Sequence, residues 1–320
     1  MKRVLIIGGA GYIGAHVAQT LTENGYAVRI FDDFSNGLWR RIEGKFDDVI
    51  VGDVLNRPLL ISAMDDIDSV IHLAAKKSVE ESITNPLKYF ENNVGGTLNL
   101  LAAMSAKKVR HLVFSSTAAV YAPIQEVSIQ ETHPLKPVSP YGETKLISEN
   151  LVKIVGSAEG ISTMSLRYFN VAGSLHIEFG DNSKDNIIPK VFAAVKSGRE
   201  PEIYGDDYPT RDGTCIRDYI HVGDLADSHL LALKRVEDSM INEVYNVGSG
   251  IGYSVQEIMN QISESIGSVL KPIHAPRRVG DTPQLVASIS KIDKELNWRP
   301  KRSLKEMIDS AWESEEGIKQ

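Results

Sequence analysis

Val4-Leu5-Ile6-Ile7-Gly8-Gly9-Ala10-Gly11-Tyr12-Ile13-Gly14 is the stretch whose reading decides the fold. Four apolar residues in a row read as a buried strand, and Gly8, Gly11 and Gly14 follow at the spacing of a tight turn that opens a helix. Glycine is needed where the chain reverses sharply, where backbone must approach a phosphate and where the new helix packs on the strand. The helix start then offers N–H groups to an anion. Taken alone, the spacing fits a plain strand-to-helix turn equally well. A second strand, Ala27-Val28-Arg29-Ile30-Phe31, tips the balance, because it runs into Asp32-Asp33 about twenty residues past the glycines, where a carboxylate grips a ribose 2′-OH. The plain alternative for that pair is a solvated acidic turn. A carboxylate there repels a 2′-phosphate, so NAD is expected rather than NADP, with Arg40 and Arg41 weighing the other way.

Further along, short apolar runs alternate with helical patterns: Val49-Ile50-Val51, Ser69-Val70-Ile71-His72-Leu73, His111-Leu112-Val113-Phe114 and Ser162-Thr163-Met164-Ser165-Leu166. This β-α-β alternation predicts an α/β fold with a doubly wound parallel sheet of the Rossmann type. Ligands on such sheets lie beyond the carboxyl ends of the strands. The residues that close each run should therefore form one rim: Asp53, Ala74-Ala75, Ser115-Ser116-Thr117 and Tyr168-Phe169-Asn170. From about Val171 the alternation gives way to turn-rich stretches, Gly205 to Thr210 and Pro272 to Pro283, which predict a smaller, loop-rich second domain. No internal repeat or low-complexity segment is found.

With 320 residues, 42% hydrophobic and 24% charged, the chain is long enough for a large core and two domains. A formal net charge of −7 leaves no basic stripe for a phosphate backbone, so no nucleic-acid partner is expected, and Lys107-Lys108 with Arg110 reads as a solvated helix end. No apolar run approaches a membrane span. The single Cys215 allows no internal disulfide, and the chain enters its first strand at once, so no leader is expected and the cytoplasm is the expected compartment.

The second chemical cluster is Ser139-Pro140-Tyr141-Gly142-Glu143-Thr144-Lys145. Ser139 suits an N-cap, Pro140 a first helical position, and Leu146, Ile147 and Leu151 an apolar face, which places Tyr141 and Lys145 on one side of a helix. A phenol with pKa near 10 is only about 0.1% ionised at neutral pH, so using it as a base requires a shift of roughly three units, about 4 kcal/mol. One cation ~5 Å away supplies about 3 kcal/mol at an effective dielectric near 20, and an oxidised nicotinamide ring adds a second. With eleven tyrosines in the chain, Tyr-x-x-x-Lys arises by accident about half the time, and a surface helix pair is its plain reading. Thr117, closing a strand some two dozen residues earlier, completes a hydroxyl, a phenol and an ammonium suited to removing an alcohol proton during hydride transfer.

Together, the glycine spacing, the strand-end Thr117 and Tyr141-x-x-x-Lys145 resemble the extended short-chain dehydrogenase/reductase family. Asn92-Asn93-Val94-Gly95-Gly96-Thr97, Leu166 to Asn170, Asp207 to Val222 and Ala275 to Asp281 narrow the resemblance to the UDP-glucose 4-epimerases over essentially the whole chain. The resemblance implies interconversion of UDP-glucose and UDP-galactose through a 4-keto sugar, with NAD kept tightly bound and no metal. Tyr141 would take the proton of the sugar 4-OH, Thr117 would bridge that oxygen to Tyr141, and Lys145 would hold the nicotinamide ribose and lower the phenol pKa. Implied cofactor contacts are Gly8, Gly11, Tyr12, Ile13, Gly14, Asp32, Asn36, Asp53, Val54, Leu73, Ala74, Ala75, Lys77, Asn92, Ser115, Tyr141, Lys145 and Tyr168. Implied substrate contacts are Lys77, Thr117, Tyr141, Asn170, Asn186, Ile187, Ile203, Tyr204, Arg217, Val255, Arg278, Asp281 and Leu285. The two arginines have a reason of their own, since a diphosphate needs permanently charged, forked donors, although a surface ion pair is the commoner fate of an arginine.

The implied division is an NAD-binding Rossmann domain at 1–170, to which 218–247 returns, and a nucleotide-sugar-binding domain at 171–217 and 248–320. Implied too is a homodimer through helices near Pro86 to Lys107 and Tyr141 to Val155. Val171, Val279 and Ala122 depart from the family pattern, and the Ser174 to Asn186 loop is shorter. Leu285 stands where some members carry tyrosine as a wall against a bulky C2 substituent, so UDP-GlcNAc and UDP-GalNAc are expected as further substrates. A UDP-glucuronate or UDP-pentose 4-epimerase is the nearest alternative. A 4,6-dehydratase would need acids directly after Thr117, where Ala118-Ala119 stand; a reductase on free NADPH is opposed by Asp32, and a non-enzymatic NAD-sensing protein has no use for Tyr141 and Lys145.

Overall fold

The computed structural model describes residues 1–123, 128–278 and 281–317. Strands in chain order are β1 Arg3–Ile7, β2 Ala27–Asp32, β3 Val49–Val51, β4 Ser69–His72, β5 His111–Thr117, β6 Ser162–Tyr168, β7 Asn170–Ala172, β8 Glu202–Tyr204, β9 Ile216–His221, β10 Asn242–Val247, β11 Gly252–Ser254, β12 Ile273–Ala275 and β13 Gln284–Leu285. Helices are α1 Tyr12–Glu23, α2 Arg57–Ala63, α3 Val79–Thr84, α4 Pro86–Tyr89, α5 Gly96–Lys107, α6 Pro140–Glu159, α7 Ile187–Lys196, α8 Val222–Asp238, α9 Val255–Ile266, α10 Ser290–Leu296 and α11 Leu304–Gly317. Contacts divide the chain into unit 1, Met1–Ala122, Pro134–Tyr168 and Ala226–Tyr245, and unit 2, Pro123–His133, Phe169–Leu225 and Asn246–Gln320.

Unit 1 is built on a parallel sheet in the order β3-β2-β1-β4-β5-β6, with β10 beside β6. The apolar run Val4-Leu5-Ile6-Ile7 is fully buried because β1 lies mid-sheet, covered on both faces, as central parallel strands are. The chain winds outward through β2 and β3, then returns to the other side of β1 as β4, so the direction of winding switches between β1 and β4. Register levels the strand ends: Ile7 pairs with Phe31 and His72, His72 with Phe114, and Thr117 with Tyr168. Gly8, Leu73, Ser115 and Tyr168 therefore share one edge of the sheet. One face is sealed by Leu5, Ile7, Phe31, Leu100, Met104, Leu112, Phe114 and Val152.

Two helices carry the polar groups of that edge. Ser139 N-caps α6 by accepting from the Gly142 N–H at 3.1 Å, Pro140 fills the first helical position, and Gly160 ends the helix in the left-handed region. The helix expected from Pro86 to Lys107 is not continuous: α4 passes into a π turn, Phe90–Gly95, before α5 resumes. A π turn is the kind of local widening that recurs at functional sites. Its middle, Asn92-Asn93, faces the β4 exit, as shown below.

Unit 2 has β9 at its centre, parallel to β7 and β13 and antiparallel to β11, with β8 and β12 as a separate parallel pair. Its core joins Ile188, Val191, Phe192, Ile203, Tyr219, Ile258, Met259, Ile262, Met307 and Ile308. Ser254 and Glu257 start α9 with a reciprocal capping box. Among the described residues no helix is long and apolar enough to cross a membrane.

Candidate active site

The glycine turn of unit 1 is a cradle that side chains would fill. Gly8 sits at φ +86°, and a Cβ there would lie 2.7 Å from the Ala74 nitrogen; one at Gly14 would lie 2.1 Å from the Gly8 carbonyl oxygen. Gly11 caps α1 with no side chain over the helix start, and the first turn, Tyr12-Ile13-Gly14-Ala15, carries no acid. Its N–H groups thus face the carboxyl edge without a protein anion of their own, which is what a diphosphate requires. Leu73 and Ala74 both donate N–H to the Ile7 carbonyl, at 2.8 and 2.9 Å, holding the β4 exit against the turn.

Asp32 closes the other flank. Its Oδ2 accepts from the Ala10 N–H at 2.9 Å and its Oδ1 from the Phe34 N–H at 2.8 Å. Burial pushes the carboxyl pKa up, while those two N–H groups and the Arg41 charge pull it back. Arg41 is folded inside, its Nη1 donating to the Ala10 carbonyl at 3.4 Å, so one of the two arginines that weighed against NAD is held internally. Asn36 is exposed on the loop after Asp32, and Asp53 accepts from the Leu55 N–H at 2.8 Å. Val54 is buried against Gly96, Lys77 is exposed, and Asn92 donates to the Asn93 carbonyl oxygen of its side chain at 3.1 Å.

The polar trio lies at the ends of β5 and the start of α6. Lys145 is buried and donates to the Ser115 carbonyl at 2.8 Å, with Nζ 5.1 Å from the Phe114 ring centroid. Loss of water pushes its pKa down to about 8, and the Glu149 charge one turn on opposes this. Tyr141 departs from expectation. Its pKa is raised by burial, with only a hydrogen bond with the Thr117 hydroxyl pulling it down, so the chain alone does not make the phenol acidic. The Lys145 ammonium is held by the Ser115 carbonyl. His72, buried on the neighbouring strand, is pushed down to about 3 and stays neutral, adding no second cation. Tyr168 bonds to His229 Nε2 at 2.9 Å, and burial raises its pKa while a hydrogen bond with Ser115 opposes.

Two features behind the trio have no counterpart in the motif reading. Arg167 donates to both oxygens of Glu149, Nε to Oε1 at 2.9 Å and Nη2 to Oε2 at 2.6 Å, and its Nη1 to the Tyr121 hydroxyl at 2.9 Å; Ser116 also donates to Glu149. Both charged groups are almost wholly buried. The available signal was an arginine inside the apolar run of β6 and a glutamate one helical turn after Lys145. Asn93, buried, accepts from the Lys76 N–H at 2.9 Å and donates to the Lys76 carbonyl and the Thr144 hydroxyl, each at 3.0 Å. It ties the β4 exit to the residue before Lys145.

Unit 2 holds a cavity of about 730 Å³. Asn170, Asn186, Ile187, Tyr204, Arg217, Val255, Arg278 and Asp281 all line it, so most of the sequence-predicted substrate residues of this unit converge. Ile203 does not; it is a core residue. Leu285 is not in the lining either, and pairs with Arg217 across β13 and β9. The Arg278 guanidinium stacks 3.9 Å from the Tyr204 ring centroid. Arg217 donates to the Thr282 carbonyl at 2.8 Å and faces Asp281 at 3.2 Å, so two residues expected on a ligand meet each other. Lys190, Arg199 and Cys215 line the cavity without having been singled out for it. Val279 lies outside the described residues.

Beneath β9, Asp218 is fully buried and accepts from the Ser249 N–H (2.6 Å), the Ser249 hydroxyl (2.8 Å), the Gly250 N–H (2.9 Å) and the Ala287 N–H (3.1 Å). Burial nonetheless pushes its pKa up to about 6. Asn170 donates to its carbonyl at 3.1 Å, joining a cavity residue to this hub. The arrangement offers a dinucleotide cradle with a phenol and an ammonium on one sheet edge, and a cavity whose lining mixes the cations Lys190, Arg199, Arg217 and Arg278 with carboxylates such as Asp181, Asp185 and Asp281.

The comparisons with known proteins agree. The NAD dependent epimerase/dehydratase family matches residues 4–248. The UDP-glucose 4-epimerase of Halalkalibacterium halodurans is 41% identical over 318 residues, covering 97% of this chain and 94% of that protein. The crystal structure of UDP-glucose 4-epimerase from Brucella ovis in complex with NAD is 37% identical, with a TM-score of 0.93 over 97% of each chain. The UDP-Glc/GlcNAc 4-epimerase of Campylobacter jejuni is 36% identical, with a TM-score of 0.87 over 99% of each chain. By sequence and by fold, the chain belongs to the NAD dependent epimerase/dehydratase family.

Proposed function

We propose that this chain is an NAD-dependent 4-epimerase that interconverts UDP-glucose and UDP-galactose through a 4-keto sugar. The carrying observation is the convergence of Thr117, Tyr141 and Lys145 on the sheet edge that also bears the Gly8–Gly14 cradle, in a chain 41% identical to a UDP-glucose 4-epimerase. The turn fits a dinucleotide because Gly8 and Gly14, where a Cβ would strike backbone, let strand and helix pack closely, and Gly11 leaves the α1 start uncovered by a side chain. Gly8, Gly11, Gly14 and Asp32 hold that group, and when bound it supplies a reversible hydride acceptor.

Tyr141 takes the 4-OH proton and later returns it, and Thr117 relays it along the hydrogen bond the two hydroxyls already share. Because burial raises the phenol pKa, deprotonation depends on positive charge arriving with the ligands, so the base is strong only in the loaded site. Lys145, fixed on the Ser115 carbonyl, positions the cofactor ribose and keeps its charge beside the reaction. In unit 2, Arg217 and Arg278 take the diphosphate, and Asn170, Asn186, Tyr204 and Asp281 the uridine. Exposed Ile83, Leu87, Leu98 and Ile154 on α3 to α6 support a homodimer through these helices. The cytoplasm is the compartment that fits this substrate.

The test is incubation of the purified chain with UDP-galactose and no added NAD, with the products resolved by chromatography. UDP-glucose should accumulate to equilibrium; unchanged substrate rejects the reading. A second substrate pair, UDP-GlcNAc and UDP-GalNAc, is supported by the 36% identical UDP-Glc/GlcNAc 4-epimerase and by Leu285 at the gate position, where the resemblance places a bulkier tyrosine in some members. Leu285→Tyr should cut turnover of UDP-GlcNAc by on the order of a hundredfold while sparing UDP-galactose, and an unaltered ratio rejects the N-acetyl substrates.

A further inference from the structure

Three parallel strands, β4, β1 and β2, are consecutive in the sheet, and the glycine turn leaves from the middle one. Lys76 belongs to the loop after β4, and Ser35 to the loop after β2. Their side chains nevertheless meet, Lys76 Nζ donating to Ser35 Oγ at 2.9 Å. Two strand spacings are about 10 Å, so this contact must pass over the exit of β1.

Both ends of the bridge are anchored to the turn beneath it. On the β4 side, Leu73 and Ala74 bond the Ile7 carbonyl, and the Lys76 backbone is gripped at N–H and C=O by the Asn93 side chain. On the β2 side, the Leu38 N–H donates to the Ala10 carbonyl at 3.0 Å, and the Ser35 N–H donates to Asp33 at 2.8 Å. The contacts close a ring around Gly8–Ala10. Among the described residues the ammonium has a neutral hydroxyl as its partner and no carboxylate in ion-pair range. A cation bound to a neutral hydroxyl, with Glu81 interacting only at longer range, lies over a helix start whose first turn carries no acid, which favours an anion between them.

We infer that Lys76 and Ser35 form a clasp across the bound dinucleotide, with the Lys76 charge set against its diphosphate, and that this clasp governs how long the cofactor stays. The inference rests on the NAD reading of the cradle and adds two residues that the family motifs do not mark. A charge-assisted contact of this kind slows release by at least about tenfold.

The test follows NAD release from the purified chain, with freed NAD captured by an alcohol dehydrogenase and read as NADH. Lys76→Met, which keeps the aliphatic stem, should release NAD about tenfold faster than wild type, Ser35→Ala faster in the same direction, and Lys76→Arg at nearly the wild-type rate. Added salt should speed release from wild type more than from Lys76→Met. If wild type retains NAD and Lys76→Met and Ser35→Ala retain it equally long, the clasp is wrong while the cofactor reading stands. A wild-type chain that holds no NAD overturns both.

Discussion

Two buried acids, Glu149 in unit 1 and Asp218 in unit 2, are satisfied in opposite ways. Behind the sheet edge of unit 1, Glu149 is met by a full charge, the forked Arg167. Behind the cavity of unit 2, Asp218 is met only by N–H and O–H dipoles from three loop positions. An ion pair fixes a permanent field but leaves a large penalty if one partner goes. Dipoles hold loops in place and pull the Asp218 pKa down, but burial outweighs them and pushes it up to about 6. Glu149 thus fixes a charge behind the reacting edge, while Asp218 pins the loops behind the cavity through their backbone.

The sharpest attack on this contrast is at the reacting group itself. Tyr141→Phe removes the proton acceptor but no charge and little volume, so kcat should fall by about 10³ to 10⁴ with the fold intact. Turnover within tenfold of wild type would show that the edge of unit 1 is not where the proton moves.

Next in size is Glu149→Gln. It strands the Arg167 charge, and loss of one partner of a buried pair costs roughly 3 to 5 kcal/mol, measurable by urea unfolding. It also removes the Glu149 charge that holds the Lys145 pKa up against burial, so that pKa, pushed down to about 8, should fall further and the alkaline limb of the kcat/KM profile should move to lower pH than in wild type. A stability loss without that movement would make the pair purely structural.

The legibility of the sequence divides along the same line. In unit 1 the functional groups stand at the ends of regular strands and on one capped helix, so apolar runs, a capping serine and glycine spacing locate Gly8, Asp32, Thr117, Tyr141 and Lys145 before any coordinates exist. Glu149–Arg167 escaped because a buried ion pair joins elements eighteen residues apart, and neither partner belongs to a periodic pattern. In unit 2 the cavity is assembled from loops and short strands, and only family resemblance pointed to Arg217, Arg278 and Asn186. Resemblance assigns residues without packing them, which is why Ile203 was expected on a ligand and is found in the core. For the Tyr141 phenol, spacing shows that Lys145 is near, but not how far burial pushes the pKa up in the chain alone.

Asp218 gives the third test. Its folded pKa, about 6, lies above the ordinary 3.8, so between those values the folded chain keeps a proton that the unfolded chain has lost. Stability from this group is therefore greatest at low pH and declines as pH rises through that window, by up to about 3 kcal/mol. The unfolding free energy of wild type minus that of Asp218→Asn should fall along this range. A flat difference would mean the carboxyl ionises in the folded state as easily as in the unfolded one.

The smallest effects come from the two serines that cap the helices leading into each region. Ser139 accepts from the Gly142 N–H at the start of α6, two residues before Tyr141, and Ser254 accepts from the Glu257 N–H at the start of α9, one residue before Val255. Removing the Ser139 hydroxyl costs about 1 kcal/mol of stability; removing that of Ser254 costs more, because it also donates to the Asp212 carboxylate. What should differ is the kinetic parameter that follows. Fraying the first turn of α6 misplaces the phenol, so Ser139→Ala lowers kcat a fewfold and leaves KM near wild type. Fraying the first turn of α9 disturbs Val255 in the cavity wall, so Ser254→Ala raises KM and spares kcat. Identical kinetic signatures from the two caps would dissolve the distinction between a reacting edge and a holding cavity, because frayed first turns in the two helices would then have the same functional cost.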